Sequence, residues 1–305
     1  MTSLLQVSFF LCNFAPKLAS MNILITGCNG QLGTEMRNLS VQHPSHRYFF
    51  TDVAELDITD REAVKRFVAE NAVDAIVNCA AYTNVDKAEE DEPTARLINA
   101  AAVENLALSG AKIIHISTDY VFSGDETSPC RESDSVAPRT AYGRTKLEGE
   151  QLLLKHCPDA VIIRTAWLYS PYGNNFVKTM LRLGKERDEL RVVNDQIGTP
   201  TYAEDLAKAI YTVMEAPEWH AGIYHFTDEG VCSWYDFTVE ILKQAGIACK
   251  VTPIKSSEYA YKTPRPHYSV LDKTKIKSTF GIAIPEWQES LVKCLARIND
   301  QMTKW

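Results

Sequence analysis

Asn22-Ile-Leu-Ile-Thr-Gly-Cys-Asn-Gly-Gln-Leu-Gly33 is the stretch that decides the fold of this chain. Its first half is an apolar strand that stops at a glycine, and the residues after Gly30 follow with the apolar spacing of a helix. Gly27, Gly30 and Gly33 form the pattern G-x-x-G-x-x-G at this junction. Glycine lets the backbone turn sharply and approach a pyrophosphate, while the helix N-terminus offers free N–H groups to that anion. The stretch therefore predicts a βα unit that binds a dinucleotide.

A carboxylate stands where such a unit needs one. Asp52 ends the second predicted strand, residues 48–52, and lies 22 residues beyond Gly30. An acidic side chain at about this distance binds the ribose hydroxyls in dinucleotide-binding folds. Because a carboxylate repels a 2′-phosphate, Asp52 mildly favours NADH over NADPH, and both cofactors stay open.

Outward from this unit, apolar strands alternate with helical segments. Almost continuously apolar strands indicate a parallel sheet that is covered on both faces. The fold class that this predicts is α/β, a Rossmann-type doubly wound parallel sheet with a smaller C-terminal substrate-binding lobe. The predicted strands are 22–27, 48–52, 75–80, 112–118, 160–169, 190–193 and 222–227. The predicted helices are 30–40, one opened by a capping box at 59–62 and ending near 71, 93–109, 141–156, 175–187, 203–215, one capped by Ser233, and two last ones after 268.

The order of these segments predicts the domain organisation. Residues 21–170 form an NAD(P)-binding Rossmann domain, to which segments around 195–230 return. Residues 171–194 and 231–305 form the substrate-binding lobe. Residues 1–20 are a separate N-terminal extension, non-native or disordered, because their apolar run is too short to span a bilayer and lacks the basic start of a signal peptide.

Composition bounds the partners and the compartment. The chain has 305 residues, of which 45% are hydrophobic and 23% charged, with a formal net charge of -7. An acidic balance without clustered Lys and Arg argues against a nucleic-acid partner, and nothing predicts membrane binding. Eight scattered cysteines lack zinc-ligand spacing and predict free thiols in a reducing compartment. We expect a soluble, cytoplasmic enzyme, either a monomer or a homodimer.

A proton-transfer pair follows the fourth predicted strand. Tyr142 and Lys146 stand four residues apart at the start of a helix, so both side chains share one face. An ammonium, together with the positive charge of an oxidised nicotinamide, would lower the pKa of the tyrosine towards the working range. The strand ends in Ser117 and Thr118, either of whose hydroxyls could polarise a substrate carbonyl, and alternation along a strand lets only one of them face the site. His115, two residues earlier, is expected to be a buried strand residue.

These motifs resemble the extended short-chain dehydrogenase/reductases. Longer strings are similar to the dTDP-4-dehydrorhamnose reductase family in particular, and the likeness runs from Met21 to about Leu295. The strings are Gly30-Gln-Leu-Gly33, Asn78-Cys-Ala-Ala-Tyr-Thr-Asn-Val-Asp-Lys-Ala-Glu89, Ser117-Thr-Asp-Tyr-Val-Phe122, Tyr142-Gly-Arg-Thr-Lys-Leu-Glu-Gly-Glu150, Arg164-Thr-Ala-Trp167, Gly173-Asn-Asn-Phe176, Asn194-Asp-Gln-Ile-Gly-Thr-Pro200, Pro264-Arg-Pro266 and Ser269-Val-Leu-Asp272.

The resemblance implies a role for individual residues. It implies reduction of the C4 keto group of dTDP-4-dehydro-L-rhamnose by NADH or NADPH, with Tyr142 as proton donor, Lys146 on the nicotinamide ribose and Thr118 at the substrate. The implied cofactor-binding residues are Gly27, Gly30, Gln31, Leu32, Gly33, Asp52, Asp57, Ile58, Ala80, Ala81, Tyr82, Tyr142 and Lys146. The implied substrate-binding residues are Thr118, Asp119, Trp167, Asn174, Asn175 and Arg265. Trp167 could instead be a buried aromatic residue.

Two alternatives and one metal question stay open. The chain could be another nucleotide-sugar epimerase or dehydratase, although no further acid–base pair is evident. It could also be a non-catalytic regulatory subunit, like the methionine adenosyltransferase partner that resembles these reductases. Some relatives use magnesium at a dimer contact, for which Glu35 and Glu204 are the matching positions. Both glutamates fit solvated helix charges equally well, so no metal site is assigned.

Overall fold

A computed structural model of the chain describes residues 20–260 and 262–302. The prediction for residues 1–20 therefore lies, apart from Ser20, outside the described residues. The strands are β1 (Asn22–Thr26), β2 (Arg47–Thr51), β3 (Ala75–Asn78), β4 (Lys112–Thr118), β5 (Val161–Thr165), β6 (Leu168–Tyr169), β7 (Glu189–Val193), β8 (Ile197–Gly198), β9 (Thr201–Tyr202), β10 (Gly222–His225), β11 (Cys232–Ser233) and β12 (Lys250–Ile254). The helices are α1 (Gln31–Leu39), α2 (Arg61–Glu70), α3 (Val85–Glu90), α4 (Glu92–Arg96), α5 (Ala102–Ala107), α6 (Ala141–His156), α7 (Phe176–Glu186), α8 (Ala203–Met214), α9 (Trp234–Gln244), α10 (Thr274–Phe280) and α11 (Trp287–Met302).

The central element is a six-stranded parallel sheet in the order β10-β5-β4-β3-β1-β2. Strand order reverses between β1 and β3, because β2 lies on one side of β1 and the later strands lie on the other. Ligands of open parallel sheets bind beyond the carboxyl ends of the strands at such a reversal. The sheet confirms the predicted Rossmann-type fold and places its binding crevice at the end of β1, where the glycine loop begins.

Two apolar layers cover the sheet. On one face, Ile23 and Ile25 of β1 pack with Met36 of α1 and with the apolar side of α8. On the other face, Leu24 packs with residues of α2, α5 and α6, among them Leu153. Successive residues of β1 thus enter opposite cores, which explains why the strand is apolar throughout.

The C-terminal segments build a third core of their own. Here α7, α9 and α11 pack around Phe237, Tyr169 and Trp287. Strand β12 pairs in parallel with β7, and β11 pairs antiparallel with β8. Strand β12 was not predicted from the sequence. It contains Pro253, which has no N–H group to donate a hydrogen bond to a neighbouring strand, and a proline argues against a strand when only the sequence is considered. Strand β10, in contrast, returns to the central sheet beside β5.

Two helix predictions need correction. The cap of α2 is Asp60, whose carboxylate accepts from the Ala63 N–H at 3.0 Å, whereas Thr59 is tied to Asp57 in the preceding turn. The predicted capping box was therefore wrong by one residue. The predicted helix 93–109 is interrupted by a π-helical turn, Leu97–Ala101.

Other features of the described residues bear on the expectations above. The predicted bounds of β4 and α6 agree with the structure at both ends, and Ser233 caps α9 in a capping box with Asp236. The described cysteines are free thiols. No helix of residues 20–260 and 262–302 is long and apolar enough to cross a membrane.

Candidate active site

The glycine loop and the end of β3 meet at the reversal of strand order. Gly27 has a φ of +63°, and a Cβ on it would lie 2.7 Å from the Cα of Ala80. A Cβ on Gly33 would lie 2.3 Å from the Gly27 carbonyl oxygen. Both glycines are therefore required by the backbone, and Gly33 serves the contact between α1 and the loop. The loop leaves an open cradle at the N-terminus of α1.

Asp52 lies on the outer side of this cradle, one residue after the end of β2. It lines a cavity of about 420 Å³. One carboxylate oxygen accepts from the Asn29 N–H at 3.1 Å and the other from the Val53 N–H at 2.9 Å. Asp52 thus shapes the glycine loop as well as facing the cavity. Of the predicted cofactor residues, those lining the cavity with it are Gly27, Gly30, Asp57, Ile58, Ala80 and Ala81.

A second cavity, of about 490 Å³, lies beyond the ends of β4 and β5. We call it the central cavity. The predicted residues that line it are Gly30, Gln31, Leu32, Ala81, Thr118, Asp119, Tyr142, Lys146, Trp167 and Asn174. The structure therefore brings the predicted catalytic residues together beside the glycine loop.

The proton-transfer pair projects from the first turns of α6. Thr140 caps this helix by accepting from the Gly143 N–H at 3.0 Å, which fixes where the helix starts. Burial raises the pKa of Tyr142 to about 12; the hydroxyl of Thr118 lowers it in part, while Asp119 raises it further. Burial lowers the pKa of Lys146 to about 8. The Lys146 Nζ atom donates to the Ile116 carbonyl oxygen at 2.7 Å.

We expect a Lys146 ammonium and a bound oxidised nicotinamide together to lower the tyrosine pKa, and this stays a prediction. Desolvation of the phenol outweighs charge effects, and the Lys146 amine is engaged by the backbone of β4. The consequence is a Tyr142 that carries its proton at neutral pH. A protonated phenol is the form that a proton donor needs.

Hydroxyl groups at the end of β4 complete the catalytic face. The Thr118 hydroxyl donates to Asp119 at 2.9 Å and accepts from the Tyr120 N–H at 3.2 Å. Burial raises the pKa of Asp119 to about 7. Ser117 and Thr118 both belong to β4, and atoms of both contribute to the wall of the central cavity. The Ser117 hydroxyl oxygen, however, is buried without a hydrogen-bond partner among the described residues, whereas the Thr118 hydroxyl contacts the Tyr142 phenol.

Trp167 separates the central cavity from a third one. Its indole stacks on that of Trp234, with ring centroids 3.5 Å apart and an interplanar angle of 11°. The residue has a φ of +48°, and a Cβ on Gly198 would lie 2.6 Å from its indole. Trp167 is thus held in one orientation between β5 and β6, and it lines both cavities.

The third cavity, which we call the outer cavity, measures about 580 Å³. Three arginines line it, Arg187, Arg191 and Arg265, and Arg265 also donates to Asp86 at 2.7 Å. Its apolar wall includes Trp234 and Phe176, and it shares Thr83, Val85, Tyr120 and Trp167 with the central cavity. The two cavities together form one elongated cleft with an aromatic and cationic outer end.

Some candidates lie elsewhere. Asn175 caps α7 by accepting from the Lys178 N–H, and its amide nitrogen donates to Gln31 at 2.9 Å. It is therefore a helix cap that also holds Gln31, and its role as a direct substrate contact stays a prediction. The ring of Tyr82 packs against a small cluster around Ala88 and lines none of the three cavities.

Glu35 and Glu204, the positions that match the magnesium-binding glutamates of some relatives, form ion pairs with side chains of the protein itself. Glu35 is fully buried, and both of its oxygens accept from the Arg297 guanidinium, at 3.0 and 2.9 Å. The same guanidinium contacts Glu204, which also pairs with Lys208 at 2.7 Å. These glutamates are not solvated helix charges, and their oxygens do not fit a divalent ion because two cations already occupy them. The described residues contain no group of metal-ligating side chains.

Sequence reasoning named Arg265 but missed other residues of the outer end. Tyr120, Trp234, Arg187 and Arg191 come from three separate segments of the chain. Tyr120 follows directly after Thr118-Asp119, and Trp234 follows the Ser233 helix cap, so each carried a local signal. Nothing local marks Arg187 or Arg191 as more than a surface charge.

Comparison with known proteins identifies the family of the chain. The family model described as RmlD substrate binding domain matches residues 21–300. The dTDP-4-dehydrorhamnose reductase of Escherichia coli (strain K12) is 42% identical over 293 residues, covering 90% of this chain and 97% of that protein. The spore coat polysaccharide biosynthesis protein SpsK of Bacillus subtilis (strain 168) is 41% identical over 273 residues, covering 88% and 95%.

Solved structures of dTDP-4-dehydrorhamnose reductases are similar to this chain over most of its length. A dTDP-4-dehydrorhamnose reductase from Clostridium acetobutylicum superimposes with a TM-score of 0.88 at 47% identity, covering 92% of this chain and all of that one. The dTDP-4-dehydrorhamnose reductase from Bacillus anthracis, solved in complex with NADP, has a TM-score of 0.87 at 38% identity, covering 91% and 99%. The chain belongs to the dTDP-4-dehydrorhamnose reductase family.

Proposed function

We propose that this chain reduces the C4 keto group of dTDP-4-dehydro-L-rhamnose to give dTDP-L-rhamnose, with NADH or NADPH as the reductant. The observation that carries the proposal is the convergence of Thr118, Tyr142 and Lys146 in a cavity that adjoins the glycine cradle. The membership of the reductase family supports the same reaction.

The side chains divide the chemistry of reduction among them. The bound nicotinamide supplies a hydride to the carbonyl carbon. Tyr142, protonated at neutral pH, donates its proton to the carbonyl oxygen as negative charge develops there. The Thr118 hydroxyl, fixed by Asp119 and by the Tyr120 N–H, supplies a second polar contact for that oxygen.

The cradle and Asp52 hold the reductant. The N–H groups at the start of α1 suit a pyrophosphate, and Gly27 and Gly30 allow it to approach the backbone. Asp52 faces the cavity where an adenosine ribose would lie. Its hydrogen bonds to the loop leave carboxylate lone pairs for the ribose hydroxyls of NADH. NADPH stays within the proposal because a relative of the same family was solved in complex with NADP.

The outer cavity suits the nucleotide half of the substrate. A nucleoside diphosphate presents two negative charges and a flat base, and this end of the cleft presents three arginines beside stacked indoles. Guanidinium groups bind phosphate oxygens through paired hydrogen bonds. Trp167, at the junction of the two cavities, would lie beside the sugar, and Asn174 lines the central cavity on the exposed side of the cleft.

The organisation of the chain is part of the proposal. Residues 21–170, with segments around 195–230, would bind the cofactor, and residues 171–194 and 231–305 would bind the substrate. A cytoplasmic location and a monomeric or homodimeric state stay predictions.

A direct assay of cofactor oxidation, combined with identification of the product, tests the proposal against its alternatives. The protein is mixed with dTDP-4-dehydro-L-rhamnose and NADH or NADPH, and the loss of reduced nicotinamide absorbance is followed while the sugar product is identified by mass spectrometry. We expect a product two hydrogens heavier, and Tyr142→Phe as a control should abolish most of it. Cofactor binding without turnover would instead support a regulatory subunit, and an isomer of unchanged mass would support an epimerase.

A further inference from the structure

An exposed arginine lies against the outer side of the glycine loop. Arg37 belongs to the last turn of α1, and its guanidinium donates to the Cys28 Sγ atom at 2.8 Å. The same guanidinium lies over the Phe50 ring of β2, 5.1 Å from the ring centroid. Helix α1 and strand β2 therefore hold this cation beside the loop that borders the cofactor cradle.

The contacts of Arg37 leave its charge uncompensated. Within residues 20–260 and 262–302 the guanidinium forms no ion pair with a carboxylate. A thiol sulfur is a weak acceptor, and a guanidinium has several N–H donors. An anion that reaches this side of the loop can therefore replace the sulfur as the partner of Arg37 at little cost.

Two carboxylates share this side of the loop. One oxygen of Asp52 accepts from the N–H of Asn29, the residue that follows Cys28, at 3.1 Å, and Glu55 accepts from the Asp52 N–H at 2.8 Å. Burial raises the pKa of the Cys28 thiol, Arg37 lowers it, and Asp52 and Glu55 raise it. The three charged groups therefore lie close enough to one buried sulfur atom to act on it.

NADPH differs from NADH at this end of the cofactor. A carboxylate at the end of the second strand binds the adenosine ribose hydroxyls, and the additional phosphate of NADPH is an ester of one of them. That phosphate would add negative charge beside Asp52, with Glu55 also near. The described residues that line the cavity with Asp52 include no lysine or arginine, so compensation has to come from outside the cavity wall. Arg37 stands across the loop with the planar fork that suits a phosphate.

We propose that Arg37 binds the 2′-phosphate of NADPH and determines how well the site accepts this cofactor beside Asp52. The inference deepens the proposed function and rests on the nicotinamide dependence that it includes. Asp52 and Glu55 repel the phosphate while Arg37 attracts it, so one site can take both NADH and NADPH. The thiol contact and the Phe50 ring hold the guanidinium in place before the cofactor binds.

The test measures binding to the full chain in the absence of any sugar substrate. Isothermal titration calorimetry with NADPH, NADH and 2′,5′-ADP gives three dissociation constants for each variant. Arg37→Gln keeps hydrogen-bond donors near the loop but removes the charge. We expect the affinities for NADPH and for 2′,5′-ADP to fall about tenfold, as for the loss of one charge-assisted contact. The NADH affinity should change by less than about twofold, because the pyrophosphate cradle is untouched.

Arg47→Gln is the matched control. The Arg47 guanidinium likewise lies over an aromatic ring of β2, that of Phe49, at 4.7 Å, but Arg47 begins the strand at the end away from the loop. This variant should leave the NADPH-to-NADH affinity ratio unchanged. Arg37→Lys keeps the charge without the planar fork, so its ratio should lie between those of the original protein and Arg37→Gln.

The affinity ratio decides the outcome. A NADPH-to-NADH affinity ratio that falls by less than about threefold in Arg37→Gln would overturn the proposal, and so would an equal fall in Arg47→Gln. Because no sugar is present, such a result would leave the reductase assignment standing. If the chain instead binds both cofactors but does not reduce the keto sugar, the dependence of the ratio on Arg37 would still hold.

Discussion

Removal of one oxygen atom, in Tyr142→Phe, is the perturbation that most cleanly isolates proton donation. The ring that remains keeps its edge contact with Tyr120, whose centroid lies 5.4 Å away at an interplanar angle of 74°. The hydrogen-bonding contact that is lost is the one with the Thr118 hydroxyl, which retains Asp119 and the Tyr120 N–H as partners. The free energy of unfolding should therefore change by no more than about 1 kcal/mol.

Turnover should respond far more strongly than stability. A positioned proton donor contributes roughly 10²–10⁴ in rate, which corresponds to about 3 to 5 kcal/mol of transition-state stabilisation. Cofactor affinity should change little, because the glycine cradle is untouched. Single-turnover mixing with the keto sugar measures the chemical step, and fluorescence titration measures cofactor binding. Tyr120→Phe is the matched control, since it removes a buried phenol oxygen from the same cavity and should slow the chemical step less than tenfold. A Tyr142→Phe rate within tenfold of the original would refute the assignment.

Three further changes test other parts of the account. Asp52→Asn removes the charge but keeps an acceptor for the Asn29 N–H. The NADPH-to-NADH affinity ratio should therefore rise, by an amount equivalent to on the order of 1 kcal/mol of binding free energy. Fluorescence titration of both cofactors measures this ratio. Gly198→Ala forces a methyl group to 2.6 Å from the Trp167 indole, so the substrate KM should rise while cofactor affinity stays constant in steady-state kinetics. Arg297→Met leaves Glu35 buried without its partner and should cost about 3 kcal/mol in denaturant unfolding.

The loss in Arg297→Met should depend on pH in a fixed direction. Burial already raises the pKa of Glu35 above its ordinary value, and removal of the guanidinium raises it further. A carboxyl group whose folded-state pKa is raised binds more protons in the folded state, so stability falls as pH rises above the unfolded pKa. The deficit should be larger at about pH 8 than at about pH 5. An equal deficit at both values would contradict the assigned burial. An unchanged NADPH-to-NADH affinity ratio in Asp52→Asn would contradict the role of Asp52. An unchanged substrate KM in Gly198→Ala would contradict the role of Trp167.

The parts of the molecule that the sequence predicted well depend on short-range patterns. The apolar run of β4 and the capped helix α6 have local signals at both ends, and the structure agrees with them at both ends. The glycine loop combines a positive φ with two close backbone approaches, which only glycine allows. Tyr142 and Lys146 share a helix face by spacing alone, so the sequence is enough to pair them.

Features that arise from long-range packing could not be predicted. The outer cavity gathers Arg187, Arg191 and Trp234 from segments far apart in the chain, and no local pattern links them. Asn175 belongs to a stretch that resembles the family. In the structure its side-chain oxygen caps α7 and its amide nitrogen donates to Gln31, and neither contact follows from the sequence. His115 was expected to be a buried strand residue, and it is one. Its contact with Asn78 depends on the register of β3 and β4, and its contact with Lys146 depends on how α6 packs against β4.

The most direct test of the reductase assignment follows the hydride itself. The protein is incubated with dTDP-4-dehydro-L-rhamnose and a nicotinamide cofactor that carries deuterium at the transferring position, and the product is analysed by mass spectrometry and proton NMR. The account predicts one deuterium per product molecule, located at C4 of the sugar, and its near-complete loss with Tyr142→Phe. A product without deuterium, or with deuterium at another carbon, would contradict it.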